Sequence, residues 1–363
     1  MTWRGPTLPG FGPEPAGDFY RYAPAIVETQ PGLRHVYLCG NVENGVIRDH
    51  VVHRVATRSA DGTWVLGPED IVLGPSDEAA SATTTASAGC GGFDCYHTCD
   101  PELLAGSFQW DGASFEYALF YTGNDFAGST HNAIGVAFAH SPEGPFVRAT
   151  TPLVPYGCGD KAPWSDGMMQ PSVVSIDGAG RFFLFTRNDC GRAAVPSVRE
   201  ALYVVDLSQA TASVSAPTYI GAAGLTGYGG APDVTLINAD WAYDLGRDRW
   251  FVVRHQHPLP PPPTTGNPLP YSVQVATLEG AVIRGESPGS WQPLGDIAPA
   301  DDGGNTWVTH ADRNHNAGFV RDPLGHLVEA AGLEVGYTSC DVATALYGRT
   351  VHTIAADLRA SFR

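Results

Sequence analysis

Asp100-Pro101-Glu102-Leu103-Leu104, the turn Asp111-Gly112 and the return Tyr117-Ala118-Leu119-Phe120-Tyr121 form the stretch that decides the fold. A polar start, an apolar run, an Asp-Gly turn and a second apolar run are the marks of a β-hairpin. The pattern recurs. Ala23-Pro24-Ala25-Ile26-Val27 returns as Val36-Tyr37-Leu38, and Gln170-Pro171-Ser172-Val173-Val174 returns as Phe182-Phe183-Leu184-Phe185. Ala239-Asp240-Trp241-Ala242-Tyr243 returns as Trp250-Phe251-Val252-Val253, and His315-Asn316-Ala317-Gly318-Phe319-Val320 returns near Leu333-Glu334-Val335. With Pro24, Pro101, Pro171, Trp241 and Ala317 taken as equivalent, the steps are 77, 70, 70 and 76 residues. Further strand-like material follows each hairpin, as at residues 133–139, 201–205, 272–276 and 346–354.

Four strands per unit and five units make an all-β, five-bladed β-propeller, in which each blade buries its faces against its neighbours. The expected blades span roughly residues 18–78, 96–156, 165–221, 230–297 and 310–361 of one domain. The alternative, a β-sandwich, requires the recurrence to be accidental. Gly and Pro, 43 and 29 residues of 363, fall between apolar runs, as short strands and tight turns require.

Composition excludes several partners. A net charge of −17 repels phosphate backbones and anionic lipid, so neither nucleic acid nor a membrane surface is expected. No apolar run is long enough to cross a bilayer, and residues 1–15 hold no signal-peptide core. Seven cysteines include the cluster Cys90, Cys95 and Cys99, with His97 among them. That spacing suits a loop-stapling disulfide, a zinc site or free thiols. Disulfides would favour a secreted or extracytoplasmic home with a leader already removed; a cytoplasmic home stays open. Gly-x-Ser-x-Gly, His-Glu-x-x-His and phosphate-cradling Gly-Lys-Ser/Thr motifs are all missing, so peptidase and phosphoryl-transfer chemistry find no support.

Propeller topology sorts the loops by face. The turns Gln30-Pro31-Gly32, Asp111-Gly112, Asp177-Gly178-Ala179-Gly180, Gly246-Arg247-Asp248 and Asp322-Pro323-Leu324-Gly325 fall on one face and carry only turn chemistry. The opposite face collects residues 41–50, 93–100, 124–132, 160–170, 187–189, 255–257 and 310–316. Nothing in turn chemistry requires that segregation, so it marks the functional face.

The Asp100-Pro101 strand start, the run Arg313-Asn314-His315-Asn316-Ala317-Gly318 and segments such as Ser141-Pro142-Glu143-Gly144-Pro145-Phe146 resemble the five-bladed propeller glycosidases. The likeness is to glycoside hydrolase family 43 and its clan relatives, which act on arabinans and xylans. The resemblance implies acidic groups at inner-strand starts: an aspartate base, a second aspartate that tunes its neighbour and a glutamate acid. Here the starts read as Ala23, Asp100, Gln170, Asp240 and His315, so the triad does not transfer as it stands. Inverting hydrolysis needs a protonated carboxyl and a carboxylate roughly 6.5–9.5 Å apart, and a retaining pair about 5–5.5 Å apart.

Asp100 is expected as general base and Asp240 as general acid across the central channel, with the roles exchangeable. Asp49 is the third carboxylate, as acid or modulator, and Glu102 is held in reserve. His50, His97, His255, His257, Gln170, Arg187, Arg313 and Asn316 are candidates for gripping hydroxyls. Trp164, Tyr96 and Tyr228 are candidates for stacking on sugar faces. No cofactor is required, although the family's metal-binding histidine resembles His315, which allows a structural Ca2+ or Na+ ion in the channel. The expected function is a glycoside hydrolase, inverting, on an arabinan- or xylan-like carbohydrate. Its rivals are a carbohydrate-binding propeller without catalysis and a structural, protein-binding propeller.

Overall fold

The computed structural model describes residues 3–4, 7–10, 20–42, 47–77, 90–125, 131–158, 166–190, 199–257, 269–299, 313–328, 332–340 and 350–356. Chain order begins with a short strand, β1 (Trp3–Arg4). The first blade is β2 (Arg21–Gln30), β3 (Leu33–Asn41), β4 (Asp49–Arg58) and β5 (Trp64–Leu73). The second is β6 (His97–Trp110), β7 (Ala113–Asn124), β8 (Ala133–Ala139) and β9 (Val147–Arg148). In the third, β10 (Gly167–Ser175), β11 (Arg181–Asp189) and β12 (Arg199–Asp206) are followed by two short strands, β13 (Ser213–Val214) and β14 (Thr218–Ile220), which both pair with β12. The fourth is β15 (Asp240–Asp244), β16 (Arg249–His255), β17 (Val273–Glu279) and β18 (Gln292–Ile297), with one helical turn, α1 (Gly280–Ile283), after β17. The last is β19 (Arg313–Arg321), β20 (Leu333–Cys340) and β21 (Thr350–Ala356).

The outermost strand of the last blade is not its own sequel. β1 pairs antiparallel with β21, Trp3 opposite Ala356, so the chain's beginning completes its final blade. The sequence expectation places that blade in residues 310–361 alone; a two-residue strand carries no periodicity by which to find it. The ring closes a second time at the axis, where β19 and β2 pair in parallel through Val320–Ile26 and Arg321–Val27.

Five apolar clusters show why the sheets stand in a ring. Each lies between two neighbouring blades: one and two, two and three, three and four, four and five, and five and one. Alternation along the inner strands sends successive side chains to opposite neighbours. Leu103 faces the first blade and Leu104 the third; Val173 faces the second and Val174 the fourth. Strands buried on both faces must read as unbroken apolar runs, as the opening motif does. Stacked Phe185 and Trp241, with centroids 4.0 Å apart, join blades three and four.

The inner strands share a kink. Ala23, Asp100, Gln170, Asn238 and Asn316 all have left-handed backbone, with φ of 51°, 47°, 55°, 49° and 35°. In blades one, two, three and five the kink is a bulge: register breaks between Tyr22 and Ala25, Cys99 and Glu102, Met169 and Ser172, and His315 and Gly318. Three of the bulges end in proline, which brings no N–H to the interrupted ladder. This corrects the alignment read from sequence. The blade starts are Asn238 and Asn316, not Asp240 and His315, and Asp240 lies two residues deeper, level with Glu102, Ser172 and Gly318.

That deeper level is tied together by Arg321, which is buried. Its guanidinium meets the Glu102 carboxylate and the Trp241 carbonyl (2.5 Å), with Ser172 Oγ and the Val173 carbonyl at 3.3 Å and Asp240 Oδ1 at 3.4 Å. Asp240 accepts hydrogen bonds from Ser172 Oγ at 2.6 Å and the Phe319 amide at 2.7 Å. Gly318 beside it has no room for a side chain, since a Cβ would stand 2.1 Å from the Pro24 carbonyl oxygen. Arg321→Met strands two buried carboxylates, and should lower unfolding free energy by about 3–5 kcal/mol in urea titrations.

Glu200 on β12 is buried, accepts the Trp241 indole N–H at 2.9 Å, and is pushed up by burial to about 8. The folded chain therefore keeps a proton that the unfolded chain gives up near the ordinary carboxyl value. Stability from this group is full at low pH and falls as pH rises toward 8. Urea midpoints at about pH 5 and pH 8 should differ less in Glu200→Gln than in the wild type.

Candidate active site

The kinked residues form a neck between two spaces. Below it is a narrow channel of about 40 Å3, lined by all five of them together with Glu102 and Asp240. Above it opens a cavity of about 440 Å3, which Asp100, Gln170, Asn238 and Asn316 also line. Its walls carry Tyr20, Tyr22, Asp49, His97, Cys99, Thr122, Asn124, Asn132, Asp166 and Arg187, so every blade contributes. The expectation that polar loops converge on one face is met by this cup.

Asp49 enters at the start of β4, and Asp100 at the kink of β6 on the next blade. Asp49 accepts a hydrogen bond from the Tyr20 hydroxyl. His97 Nδ1 lies 2.9 Å from Asp49 Oδ2 and 3.0 Å from the Asp49 amide nitrogen; one tautomer donates to the carboxylate and the other accepts the N–H. Asp100 Oδ2 accepts from the Thr122 hydroxyl at 3.1 Å, and Thr122 Oγ1 accepts the Gln170 N–H at 2.9 Å. Dense packing around Asp100 pushes its carboxyl up to about 6, with the charge of Asp49 adding to the rise. Thr122, Arg187 and the Gln170 amide pull the other way. The result is a carboxyl that gains and loses its proton near neutrality, beside a second carboxylate.

Across the cup, Arg187 donates to Asp166 and Asp189, both at 3.2 Å, and to Asn238 Oδ1 at 3.1 Å. Burial raises Asp166 against the pull of Arg187. Gln170 Oε1 and Arg187 Nε are buried and meet no hydrogen-bond partner among the described residues.

Of the residues expected from sequence, Asp49, Asp100, His97, Gln170, Arg187 and Asn316 line the cavity. The other described candidates do not, each for a visible reason. Asp240 lines only the channel, and its oxygens serve Ser172, Phe319 and Arg321, so it does not face Asp100 across the cup. Glu102 is likewise held in the channel by Arg321. His50 is buried and its Nδ1 bonds the Arg48 carbonyl at 3.1 Å. His255 stands behind the wall, where Nε2 accepts the Asn316 N–H at 2.8 Å; burial holds it far below the usual histidine range. His257 joins the Asp233–Arg254 network and burial lowers it to about 4. Arg313 lies over Tyr271, 6.0 Å from the ring centre. Tyr96 packs edge-on against His97, and Tyr228 against Tyr271. Trp164 lies outside the described residues.

His315 is buried, with Nδ1 2.7 Å from Asn316 Oδ1 and its ring near Tyr22 and His255. It lines neither the cup nor the channel. A structural Ca2+ or Na+ ion at His315 therefore stays an expectation from the resemblance, and no step below passes through one. The cysteine cluster resolves into bonds: Cys39–Cys99 between blades one and two, Cys90–Cys95 within a loop, and Cys158–Cys190. That excludes zinc at Cys90, Cys95 and Cys99 in this state. Tyr20, Tyr22, Thr122, Asp166 and Asn238 were missed. Asp166 sat within the expected upper loop, and Asn238 was hidden by the two-residue error in aligning the fourth blade.

No protein-family profile matches the chain, and neither does any curated protein sequence. Solved structures do. A family 62 hydrolase in complex with xylotriose superposes with a TM-score of 0.58 at 13 % identity, covering 97 % of this chain and 96 % of that one. A family 117 glycoside hydrolase from the marine bacterium Zobellia galactanivorans gives 0.56 at 13 %, covering 98 % and 90 %. A family 43 enzyme from Xanthomonas citri complexed with xylotriose gives 0.54 at 13 %, covering 96 % and 90 %. The chain has the propeller fold of these hydrolases along nearly its whole length.

The electrostatics of the cup are open to direct measurement. Asp49→Asn should shift the Asp100 titration down, and Arg187→Ala should shift it up, as followed by carboxyl 13C NMR.

Proposed function

We propose that the protein is an inverting glycoside hydrolase that cleaves a neutral, pentose-containing arabinan- or xylan-like carbohydrate. One observation carries the reading: carboxyls from adjacent blades, Asp49 and Asp100, line one cup, where burial pushes Asp100 up to about 6. A carboxyl protonated near neutrality can donate to a leaving glycosidic oxygen, while an ionised neighbour activates water on the other side of the sugar. Asp100 is therefore assigned as general acid, the reverse of the sequence expectation, and Asp49 as general base in place of Asp240. Gln170 and Arg187 line the cup where substrate hydroxyls would sit, with Asn238 and Asn316 beside them at the neck. A cup with three aspartates and one arginine disfavours uronates and sulfated sugars. Xylotriose in two of the similar structures supports a pentose substrate. No cofactor is required. Three disulfides support an extracytoplasmic home. Among the described residues no helix is long and apolar enough to cross a membrane.

One observation favours the carbohydrate-binding alternative: of the five neck residues, only Asp100 is acidic. Asp100→Asn separates the two. A hydrolase should lose about 10²–10⁴-fold in kcat on natural linkages while keeping oligosaccharide affinity. The loss should shrink on dinitrophenyl glycosides, whose leaving group needs no proton. Wild-type kcat/KM should fall as pH rises through about 6, because the acid form of Asp100 is then depleted. Oligosaccharide binding with no turnover of any arabinoside or xyloside by the wild type would establish the binding reading instead.

A further inference from the structure

The Cys39–Cys99 disulfide lies between the two cup carboxylates. It joins β3 of the first blade to β6 of the second, with Cα atoms 4.7 Å apart. Cys99 Sγ is 3.5 Å from Asp100 Oδ1 and 2.9 Å from the Tyr22 hydroxyl oxygen. Both sulfurs and a carboxylate oxygen of Asp49 lie within 4.8 Å of one another. Among the described residues, no other three histidine, cysteine or acidic side chains gather so closely. His97 Nδ1, 2.9 Å from Asp49 Oδ2, stands at the edge of the group.

We infer that reducing this one bond turns the wall of the cup into a binding site for a borderline or soft divalent cation, Zn2+ or Cd2+, held by Cys39, Cys99 and Asp49. Tetrahedral zinc with Zn–S near 2.3 Å sets two sulfurs roughly 3.8 Å apart. Cα atoms 4.7 Å apart leave two thiols within reach of that spacing once the bond is broken. Asp49 supplies a third donor that is already anionic, and His97 or a water from the cup supplies the fourth. Thiolates select such metals over Ca2+ or Mg2+. Access is open, because Cys99 and Asp49 line the cavity. The chemistry balances. A phosphine reductant gives two electrons to the S–S bond and takes oxygen from water; the two protons of that water complete the thiols. Metal binding then releases those two protons.

Neither Cys90–Cys95 nor Cys158–Cys190 belongs to such a group. A metal at Cys39 and Cys99 takes Asp49 out of the chemistry of the cup, a consequence that rests on the hydrolase reading; the metal site itself does not.

The test uses the full chain carrying Cys90→Ser, Cys95→Ser, Cys158→Ser and Cys190→Ser, reduced with tris(2-carboxyethyl)phosphine and freed of reductant without air. Cd2+ is titrated while the cadmium–thiolate ultraviolet band is followed, with near-ultraviolet circular dichroism reporting the fold. The expected result is one Cd2+ per reduced chain with a two-thiolate band and none in the oxidised chain. Asp49→Asn should weaken uptake by about 10- to 100-fold. Should the four-serine chain fail to fold, the reduced wild type is compared with Cys39→Ser, which must bind one Cd2+ fewer and show a correspondingly weaker two-thiolate band. Absence of cadmium uptake by a folded, reduced chain, or equal uptake by the Asp49→Asn or Cys39→Ser chain, overturns the inference. Failure here leaves turnover untouched, whereas failure of the hydrolase reading appears as absent turnover with cadmium uptake intact.

Discussion

A buried guanidinium with two carboxylates, Arg321 with Glu102 and Asp240, is the constraint around which the axis is built. Five twisted sheets pack well against their neighbours, but at the centre their inner strands converge and bring polar backbone together. Arg321 reaches from the last blade to the second, third and fourth, and its donors satisfy two carbonyls and two acids. The first blade is joined differently, by backbone pairing of β19 with β2 and the side-chain-free contact at Gly318. Buried charge is tolerated there because every charge has a partner.

That network divides the axis into two levels with different work. The lower level spends its acids on structure, so Asp240 and Glu102 are anchors. The upper level holds residues in left-handed backbone at the kinks, a conformation that aims side chains toward the neck and persists only where surrounding structure fixes it. Asp100 is the one acid at that level. Its altered proton affinity comes from burial and from Asp49, contributed by a neighbouring blade and not by the opposite wall.

The propeller was legible from the repeat, the likeness to propeller glycosidases from short motifs such as Asp100-Pro101, and the cup's location from the segregation of polar loops. Asp49, Asp100, His97, Gln170, Arg187 and Asn316 were legible too, because each lies next to a strand end that periodicity marks. His50, His255 and His257 look identical to them in sequence, being polar residues near strand ends. Burial against Arg48, Asn316 and Asp233 separates them, and those partners come from packing. The fourth blade's start was misread by two residues because Asn238-Ala239 lacks the proline that flags three of the other starts.

Sequence by itself determined the repeat, the alternation that buries each inner strand on both faces, and the net charge of −17. These follow from composition and period, which are properties of the chain read in order. Tertiary structure alone decided which aspartates share a cup, which one Arg321 claims, where β1 closes the ring and how six cysteines pair. Those are matters of distance in space, mostly between residues tens to hundreds of positions apart, and a residue's type says nothing about who will stand beside it.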